Sequence, residues 1–567
     1  MKTLIVANNG ISANATGSEI NPYPTLEQAV QAATPGDTIL LREGDYRQPT
    51  TVNVAGQPEA PITITRYPAE KPRLLDTPDL RSILRIEGAS ITVDGLTLVS
   101  ERRSTEKFSW VEVVENARGT VLRNLSLFRE GDISKLFSLG YRDFGIVVEA
   151  PDVTIDACRL VGMCKGIQVK GKAARRVTIT HNHIGPTIQS NIVMATGYGV
   201  VRGVLIAHNV LEGSYREDGI QFMQDFDSPN PPVDVSNLGT IVYHNVIRDE
   251  SENAIDLKGA GLVVIDGNLI TRIMGSNDGL AFGGNRNSLG AVMRGARTTA
   301  RQVIARNNVI YNASSGISLY EEFHVYHNVI LWNRFDYTGP GSLFHNDNYP
   351  TFVGIRQGLG NIKRAAVKNN LIGLHEVNLA LAFVNNGLIE TAGNYLVSER
   401  KMLATLLAGA EPLTDLHALE DFCTKAGAPL CGAGVPLTYT VGSGTGSLVP
   451  VKDAGYFTDW FGRKELPAEV VYLDSKPYTV VGVDLEASRL RLDQPAEWRD
   501  QMPVYWLRSQ AGIGLHWRPP AGRPLPPEPP QPEPTTETVR LVLEFTASSQ
   551  QVELLRQLLQ SVRTVVQ

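Results

Sequence analysis

Residues 308–330 read NVIYNASSGISLYEEFHVYHNVI, and the tripeptide Asn-Val-Ile that opens this stretch at Asn308 returns at Asn328. Val and Ile follow each asparagine too closely for the spacing of an amphipathic helix, and such apolar runs are typical of buried parallel strands. The step between the two copies, 328 minus 308 or 20 residues, approaches the length of one bare coil. The stretch therefore predicts a solenoid in which each coil stacks on the previous one.

The same asparagine-led tripeptide recurs through the middle of the chain. Its eight copies begin at Asn182, Asn209, Asn245, Asn268, Asn308, Asn328, Asn370 and Asn394, and a fainter copy begins at Asn124. Asparagine tolerates left-handed backbone conformations, and its amide can hydrogen-bond to the next asparagine in a stack. We therefore predict an all-β protein, a right-handed parallel β-helix over residues 1–400, with an asparagine at one corner of most coils.

Composition and charge exclude several classes of function. The chain has 567 residues, of which 42% are hydrophobic and 20% charged, with 52 Gly and 33 Pro. A solenoid grows by adding coils, so this length is compatible with one large solenoid plus appendages. The net charge of −6 provides no basic field for phosphate backbones, and we expect no nucleic-acid partner.

The beginning of the chain bears on localisation. Only residues 4–7 are apolar before Asn8, which is shorter than the roughly 7 to 15 apolar residues of a secretory signal. No apolar run reaches the roughly 20 residues needed to span a bilayer, so we expect no membrane insertion. These features predict synthesis in the cytosol and a final location in a virion. The alternative is a signal segment that has been removed.

A segment near the start resembles the N-terminal cap of known β-helices. Residues 21–49 read NPYPTLEQAVQAATPGDTILLREGDYRQP, and Thr25 with Gln28 forms a capping box for a helix over about 25–34. The pattern is similar to the beginning of pectate-lyase-like right-handed parallel β-helix proteins. The resemblance implies that the helix covers the open apolar end of the solenoid.

The asparagine repeat stops near residue 400, and the rest of the chain divides into three parts. Residues 401–517 predict an accessory region with a small β-domain. Residues 518–536 are rich in proline and predict a stiff linker. Residues 537–567 predict a strand and an amphipathic helix, which either folds back on the accessory region or forms a tethering tail.

Candidate binding residues come from five strands that begin with Gly or Ala, at 166–170, 219–223, 254–258, 290–294 and 316–320. Period-two alternation leaves two outward columns on one sheet. The first column holds Gln168, Gln221, Asp256, Val292 and Ser318, and the second holds Lys170, Met223, Lys258, Arg294 and Tyr320. Coils lie about 4.8 Å apart, so such columns suit a polysaccharide. We take as substrate-binding candidates Gln168, Lys170, Gln221 and Tyr320.

Acidic residues are densest on two adjacent coils. Ca²⁺ takes about six to eight oxygen ligands, and the candidate ligands are Glu217, Asp218, Asp225, Asp227 and Glu252. The candidate catalytic residues are Lys258, Asp256, Arg294 and Asp218. If a nearby cation lowered its pKa, Lys258 could remove the proton alpha to a uronate carboxylate, with Ca²⁺ stabilising the enolate.

Two short segments resemble calcium-dependent family 9 polysaccharide lyases. EDGIQF at 217–222 and ENAIDLKG at 252–259 look like the Asp-Gly and Lys-Gly rungs of that family, with Glu217-Asp218 where the family has paired aspartates. The resemblance implies calcium and β-elimination. Two alternatives stay open. Asp and Lys two residues apart on a strand also form structural ion pairs, and Asp218 with Asp256 could be the acid and base of a hydrolase.

Aromatic residues gather in the long segment between the repeats at Asn328 and Asn370. Trp332 and Tyr337 are candidates for stacking on sugar faces, and the alternative is that they pack over the solenoid.

Two functions remain open from the sequence. The first is a virion tailspike or receptor-binding protein that binds a bacterial surface polysaccharide. Such a protein could bind the polysaccharide only, or bind and also depolymerise it. Resemblance to such spikes implies a homotrimer, and the tail at 537–567 predicts attachment to a tail or anchor protein. The second is a free calcium-dependent polysaccharide lyase acting on uronate-containing glycans.

Overall fold

The chain winds into a parallel β-helix with three long parallel sheets, which confirms the predicted fold class. The computed structural model describes residues 1–9, 14–77, 81–101, 107–131, 143–195, 199–223, 237–273, 289–290, 300–313, 316–331, 354–357, 362–373, 381–382, 387–409, 419–507 and 513–515. Each coil contributes one strand to the first sheet, then one to the second and one to the third. The coil from Thr178 to Ala195 shows this order.

The strands of each sheet pair in parallel along the solenoid. The first sheet contains Thr3–Val6, Thr38–Leu41, Ile62–Arg66, Ile91–Asp94, Val121–Arg123, Thr154–Asp156, Thr178–Thr180, Leu205–Ala207, Ile241–Tyr243, Ala260–Asp266, Ala300–Arg306, Glu322–Tyr326, Arg364–Lys368 and Ile389–Ala392, with Val201–Arg202 and Asn237–Leu238 beside them. The second contains Asp45–Tyr46, Arg73–Leu75, Thr97–Ser100, Ser126–Arg129, Arg159–Val161, His183–Ile184, Val210–Glu212, Val246–Arg248, Leu269–Ile273, Val309–Ala313, Val329–Leu331, Leu371–Gly373 and Tyr395–Val397. The third contains Thr50–Val52, Ser82–Ile86, Phe108–Val113, Asp143–Val148, Lys165–Lys170, Ile192–Ala195, Ile220–Phe222, Ile255–Leu257, Leu289–Gly290, Ile317–Leu319, Ile355–Gln357 and Leu381–Ala382.

The asparagine repeat forms a continuous hydrogen-bonded ladder at the corner between the first and second sheets. The side-chain nitrogen of each asparagine donates to the side-chain oxygen of the next one, over seven bonds of 2.9 to 3.0 Å from Asn182 to Asn394. That nitrogen also donates to a backbone carbonyl of the preceding coil, as Asn268 does to Val242 at 3.0 Å. Because all of these amides except that of Asn394 are buried, the ladder satisfies polar groups that water does not reach.

The left-handed residue of this corner precedes the ladder asparagine, which differs from the expectation that the asparagine itself adopts that conformation. Asn307 has φ of 52° and His327 has φ of 56°, and each stands directly before a ladder asparagine. Asn124 has φ of 53°, so this fainter copy occupies the left-handed position and Leu125 occupies the ladder position. Glycine, asparagine and histidine at the preceding position supply the turn, and the ladder asparagine supplies the hydrogen bonds.

The glycines that begin strands of the third sheet are required by close packing at the corner between the second and third sheets. A Cβ atom on Gly166 would lie 2.4 Å from the carbonyl oxygen of Asn191 and 2.5 Å from Cγ2 of Ile184. A side chain at this position would collide with the next coil, because coils stack at a fixed spacing. This explains the Gly-Ile pattern of these strands.

A short helix, Leu26–Ala32, packs its buried residues against the first coils. Thr25 is the N-cap, and its hydroxyl accepts a hydrogen bond of 3.2 Å from the backbone N–H of Gln28. The helix places Leu26 and Val30 in the core cluster of the solenoid. These contacts cover apolar surface at the end of the stack.

A compact accessory region follows the last coil. It contains the short helices Arg400–Met402, Leu403–Leu406, Leu419–Phe422 and Trp460–Gly462. It also contains a six-stranded antiparallel sheet built from Thr438–Tyr439, Gly444–Pro450, Glu469–Leu473, Lys476–Asp484, Arg489–Trp498 and Pro503–Trp506. The predicted strand and helix at 537–567 and the linker at 518–536 lie outside the described residues. No helix within the described ranges is long and apolar enough to cross a bilayer.

The accessory region covers two faces of the solenoid. Trp460 and Trp506 of the antiparallel sheet region pack with Tyr243 and Val264 on the outer face of the first sheet. Phe422 packs on the second sheet in an apolar cluster with its neighbours. The outer face of the third sheet carries the polar columns, and this face holds the candidate site.

Candidate functional site

The predicted outward column exists on the third sheet, and its phase is confirmed by burial of the flanking residues. Ile255 and Leu257 pack in the solenoid core, so Asp256 between them lies on the outer face. Pairing of neighbouring strands places one residue of each coil in this column: Thr51, Arg85, Glu112, Val147, Gln168, Val193, Gln221, Asp256, Gly290, Ser318, Arg356 and Ala382.

The register corrects the predicted column at two coils. Val193 stands between Gln168 and Gln221, so these two glutamines are not on adjacent coils. Gly290, rather than Val292, pairs with Asp256, because Leu289 pairs with Ile255. The predicted alignment treated Gly290 as a leading glycine, which shifted it by two residues. Val292 and the catalytic candidate Arg294 lie outside the described residues.

Lys258 and Asp256 form an ion pair at the centre of the column. The ammonium group of Lys258 contacts Oδ2 of Asp256, and their side chains are 13% and 0% exposed. Burial lowers the pKa of Lys258, but the carboxylates of Asp256 and Asp218 outweigh this effect and raise the pKa above its ordinary value. Lys258 is therefore a cation at neutral pH. Its expected role as a base requires a lowered pKa, and the surrounding protein groups alone do not provide it.

Asp218 lies at the corner before the preceding strand and is completely buried. Its Oδ1 accepts hydrogen bonds from the backbone N–H of Asn253 at 3.1 Å and from the side chain of Asn253 at 2.7 Å. Its Oδ2 accepts one from Gln221 at 3.1 Å. Burial, followed by the nearby Asp256, raises the pKa of Asp218 well above its usual value. Two amide side chains thus hold this carboxyl group beside the Lys258 pair.

The residues predicted to bind calcium do not converge within the described part of the chain. Glu217 is directed elsewhere, since its Oε2 accepts a hydrogen bond of 3.0 Å from Ser190 and lies 3.9 Å from the ammonium of Lys165. Both oxygens of Asp218 already accept hydrogen bonds from amides. Glu252 is half-buried, and its negative charge helps to raise the pKa of Asp218. Among the described residues no three His, Cys, Asp or Glu side chains are placed to hold a metal ion, and Asp225 and Asp227 lie outside them.

The predicted substrate-binding residues fall into four groups. Gln168 and Gln221 lie in the outward column, and Gln221 is held by Asp218. Lys170 forms an ion pair of 2.7 Å with Glu149. Tyr320 is 3% exposed and packs with the solenoid core, and burial raises its pKa to about 12. Trp332 and Tyr337 lie outside the described residues.

Two further residues extend the column beyond Asp256. Ser318 follows Gly290, and its hydroxyl accepts a hydrogen bond of 2.9 Å from Nε of Arg356. The charges of Arg356 and Lys258 lower the pKa of the nearby Tyr320 hydroxyl, and the charge of Asp256 raises it. Arg356 was missed from the sequence, although Gly354-Ile355 directly before it repeats the Gly-Ile pattern of the aligned strands.

A buried glutamate in the turn before the strand Ile255–Leu257 was also not predicted from the sequence. Glu250 is completely buried, with Oε1 accepting a hydrogen bond of 2.8 Å from the side chain of Asn191 and Oε2 accepting one of 2.8 Å from the backbone N–H of Ser214. Burial raises the pKa of Glu250 to about 8. Its position among Asp249, Ser251 and Glu252 reads as an exposed acidic loop, so only the fold shows that it is enclosed.

Comparisons with known proteins bear on the fold. No family model matches the chain. No curated protein matches it either. Solved structures similar to it include an alginate lyase from Paenibacillus sp. str. FPU-7, with 14% identity over 70% of this chain and 98% of that one and a TM-score of 0.34. Pectate lyase Pel9A matches with 16% identity over 78% of this chain and 94% of that one and a TM-score of 0.35.

A glycosidase is also among these structures. The GH136 lacto-N-biosidase from Eubacterium ramulus matches with 16% identity over 59% of this chain and 64% of that one and a TM-score of 0.38. At these values the matches assign no activity to this chain. The predicted likeness to pectate-lyase-like parallel β-helix proteins is confirmed at the level of the fold, which the three parallel sheets of this chain carry.

Proposed function

We propose that this chain binds an acidic polysaccharide along the outer face of the third sheet and cleaves it by β-elimination at Lys258. The observation that carries the proposal is the Lys258–Asp256 pair, a mostly buried cation held by a carboxylate in the middle of an outward polar column. Strongly perturbed ionisable groups in such a setting are typical of functional sites.

The column supplies groups suited to an extended anionic chain. Lys258 and Arg356 provide positive charge on the same face, and the buried side chains of Gln221 and Ser318 hydrogen-bond to Asp218 and Arg356 beside them. Coils are spaced by about 4.8 Å, so groups on several successive coils can contact one bound glycan. Gly290 carries no side chain and separates Asp256 from Ser318 in the column.

The proposed reaction uses the Lys258–Asp256 pair as a proton relay. Transfer of one proton from the ammonium to the carboxylate leaves a neutral amine and a carboxylic acid. The amine then takes the proton alpha to the uronate carboxylate, and the acid protonates the glycosidic oxygen as its bond to the ring breaks. The pair ends as ammonium and carboxylate, and the product carries a new carbon–carbon double bond. Arg356 balances the charge that develops on the substrate carboxylate.

The test is incubation with a panel of acidic and neutral polysaccharides, with and without a chelator. We expect ultraviolet-absorbing unsaturated uronates from at least one acidic glycan. Lys258→Ala should reduce their release by roughly 10²- to 10⁴-fold, the usual contribution of general acid–base catalysis. Lys363→Ala, which removes an exposed lysine that is paired with Glu321 directly before two strands of the first sheet, should leave the rate unchanged. Loss of activity with chelator would indicate that the site also requires the predicted calcium.

Other outcomes would reject the lyase. Saturated fragments would indicate hydrolysis, with Asp218 and Asp256 as the acid and base. Binding without fragments would indicate a lectin. The virion tailspike role, the homotrimer and the attachment of residues 537–567 to an anchor protein stay predictions, and light scattering of the purified chain tests the trimer directly.

A further inference from the structure

A cavity lies between the outer face of the first sheet and the accessory region, and none of the described residues that line it belongs to the third sheet. Its volume is about 470 Å³. This falls within the roughly 300 to 1,000 Å³ that small-molecule pockets occupy. Leu262, Gln302 and Glu322 line it from three adjacent strands of the first sheet, and Phe461 and Leu485 line it from the accessory region.

His324 belongs to the wall of this cavity. The ring lines the cavity and is only 5% exposed. Its Nε2 is bound to Oδ2 of Asp453 at 2.8 Å, and that oxygen also lies 2.6 Å from the guanidinium of Arg364. In the part of the chain that the structure describes, Nδ1 of His324 has no hydrogen-bond partner. This nitrogen is enclosed by protein, so the His324–Asp453–Arg364 contacts form a fixed wall of the cavity.

The floor of the cavity includes the left-handed corner residues of two coils. Leu262 has φ of 51° and Gln302 has φ of 54°, and they lie side by side on adjacent strands. Earlier coils have the same left-handed corner at Arg176, Gly203 and Gly239, so the turn belongs to the solenoid. At the cavity, leucine and glutamine occupy a position where two of these earlier coils have glycine, and they supply side chains to the lining.

The lining has one apolar side and one polar side. Val264 and Phe461 offer an apolar surface, while Gln302 and Glu322 offer hydrogen-bonding groups. A pyranose ring has the matching shape, with C–H bonds on its face and hydroxyls around its rim. Aromatic and aliphatic side chains contact the face, and carboxylate and amide groups bind the hydroxyls.

The charges of the lining favour a neutral sugar over an acidic one. The one arginine, Arg364, is already paired with Asp453. Among the described residues, the carboxylates of Glu322 and Asp459 have no cationic partner. An anionic sugar would meet these carboxylates in a partly enclosed space, where repulsion is stronger than in bulk water.

We infer that this junction cavity is a binding site for one or two units of a neutral saccharide, separate from the site on the third sheet. The inference does not depend on the proposed lyase activity. A neutral unit bound here would hold the solenoid beside a glycan whose acidic portion occupies the third sheet.

The test is saturation-transfer NMR and calorimetry with glucose, galactose, rhamnose and N-acetylglucosamine, and with glucuronate for comparison. We expect at least one neutral sugar to bind and glucuronate to bind less well. Leu485→Trp fills the cavity from a half-buried position and should weaken binding at least tenfold. Glu322→Ala should weaken it about tenfold, as expected for loss of a charge-assisted hydrogen bond.

Matched controls separate a lost site from a lost fold. Leu448→Trp makes the same exchange at an exposed leucine of the accessory sheet that does not line the cavity, and it should bind as the unchanged protein does. Both tryptophan variants should keep their thermal unfolding midpoint. The inference is overturned if no neutral sugar binds, if Leu485→Trp binds equally well, or if glucuronate binds more tightly. None of these results depends on cleavage at Lys258, so the two sites can fail separately.

Discussion

Arg306 of the first sheet and Glu469 of the accessory sheet form a two-pronged ion pair, with nitrogen–oxygen distances of 2.7 and 2.9 Å. Both side chains are almost completely buried, and the guanidinium lies 4.2 Å from the centre of the Trp506 ring. Nε of Arg306 also donates to Asp266 on the adjacent coil at 2.7 Å. One arginine thus joins the solenoid to a sheet 163 residues further along the chain.

Glu469→Ala should therefore destabilise the protein strongly. The change leaves the Arg306 guanidinium buried with one carboxylate instead of two, and breaking a buried pair costs about 3 to 5 kcal/mol. Denaturant unfolding measures this loss. Asp45→Ala, which breaks an equally short but exposed pair with Arg73, should cost at most about 1 kcal/mol. Equal losses in the two variants would contradict the prediction.

Asn268→Ala should weaken the asparagine ladder in its middle. Asn268 accepts from the backbone and side chain of Asn245 and donates to Asn308 and to Val242. Its loss leaves buried amides without partners, at about 1 to 3 kcal/mol for each such group. Asn394→Ala removes the partly exposed end of the ladder and should cost less. A comparison of unfolding midpoints in guanidinium checks the order, and a reversed order would show that the ladder does not stabilise the stack.

The ladder could be predicted from the sequence because its signal is local. Each tripeptide carries both the corner asparagine and the strand that follows it, so eight copies sufficed to indicate a coil. The position of the left-handed residue was not visible, because Asn307 and Asn308 are both asparagines and only the backbone shows which one turns the chain.

The site was harder to predict because its contacts join distant coils. Lys258, Asp256 and Asp218 lie close enough to shift one another's pKa, as their place on two adjacent coils suggested. The predicted alignment of the column was wrong at Gly290, which does not occupy the leading position that glycine has in the other strands. The partners of Asp218 decide what it can bind, and Asn253 lies 35 residues away in sequence. The likeness to calcium-binding rungs could not show that amides already occupy both oxygens of this carboxyl group.

Glu250 should make stability depend on pH. Its pKa is raised to about 8 in the folded chain, above the ordinary value of a glutamate, so its contribution is fully present below that ordinary value and is lost as pH rises through about 8. Glu250→Gln removes this titration. The variant should therefore gain stability relative to the unchanged protein between about pH 5 and 8, by up to a few kcal/mol. Parallel pH dependences of the unfolding free energy would contradict this assignment.

Asp256→Asn should change how activity depends on pH, and it separates a relay from a purely structural pair. Asp256 is the foremost carboxylate that raises the pKa of Lys258, so its neutralisation should lower that pKa and increase the fraction of free amine at a given pH. The variant also loses the acid that protonates the glycosidic oxygen, so its rate should fall by roughly 10²- to 10⁴-fold. In the relay the active pair carries one proton, so the unchanged protein should lose kcat/KM as pH rises through the raised pKa of Lys258. The variant needs the free amine, so its residual kcat/KM should instead rise with pH through the lowered pKa of Lys258. Glu399→Gln, which neutralises an exposed carboxylate paired with Lys401, should leave the profile in place. A lower rate with an unshifted profile would mean that Asp256 positions Lys258 without setting its charge, and the relay would then be wrong.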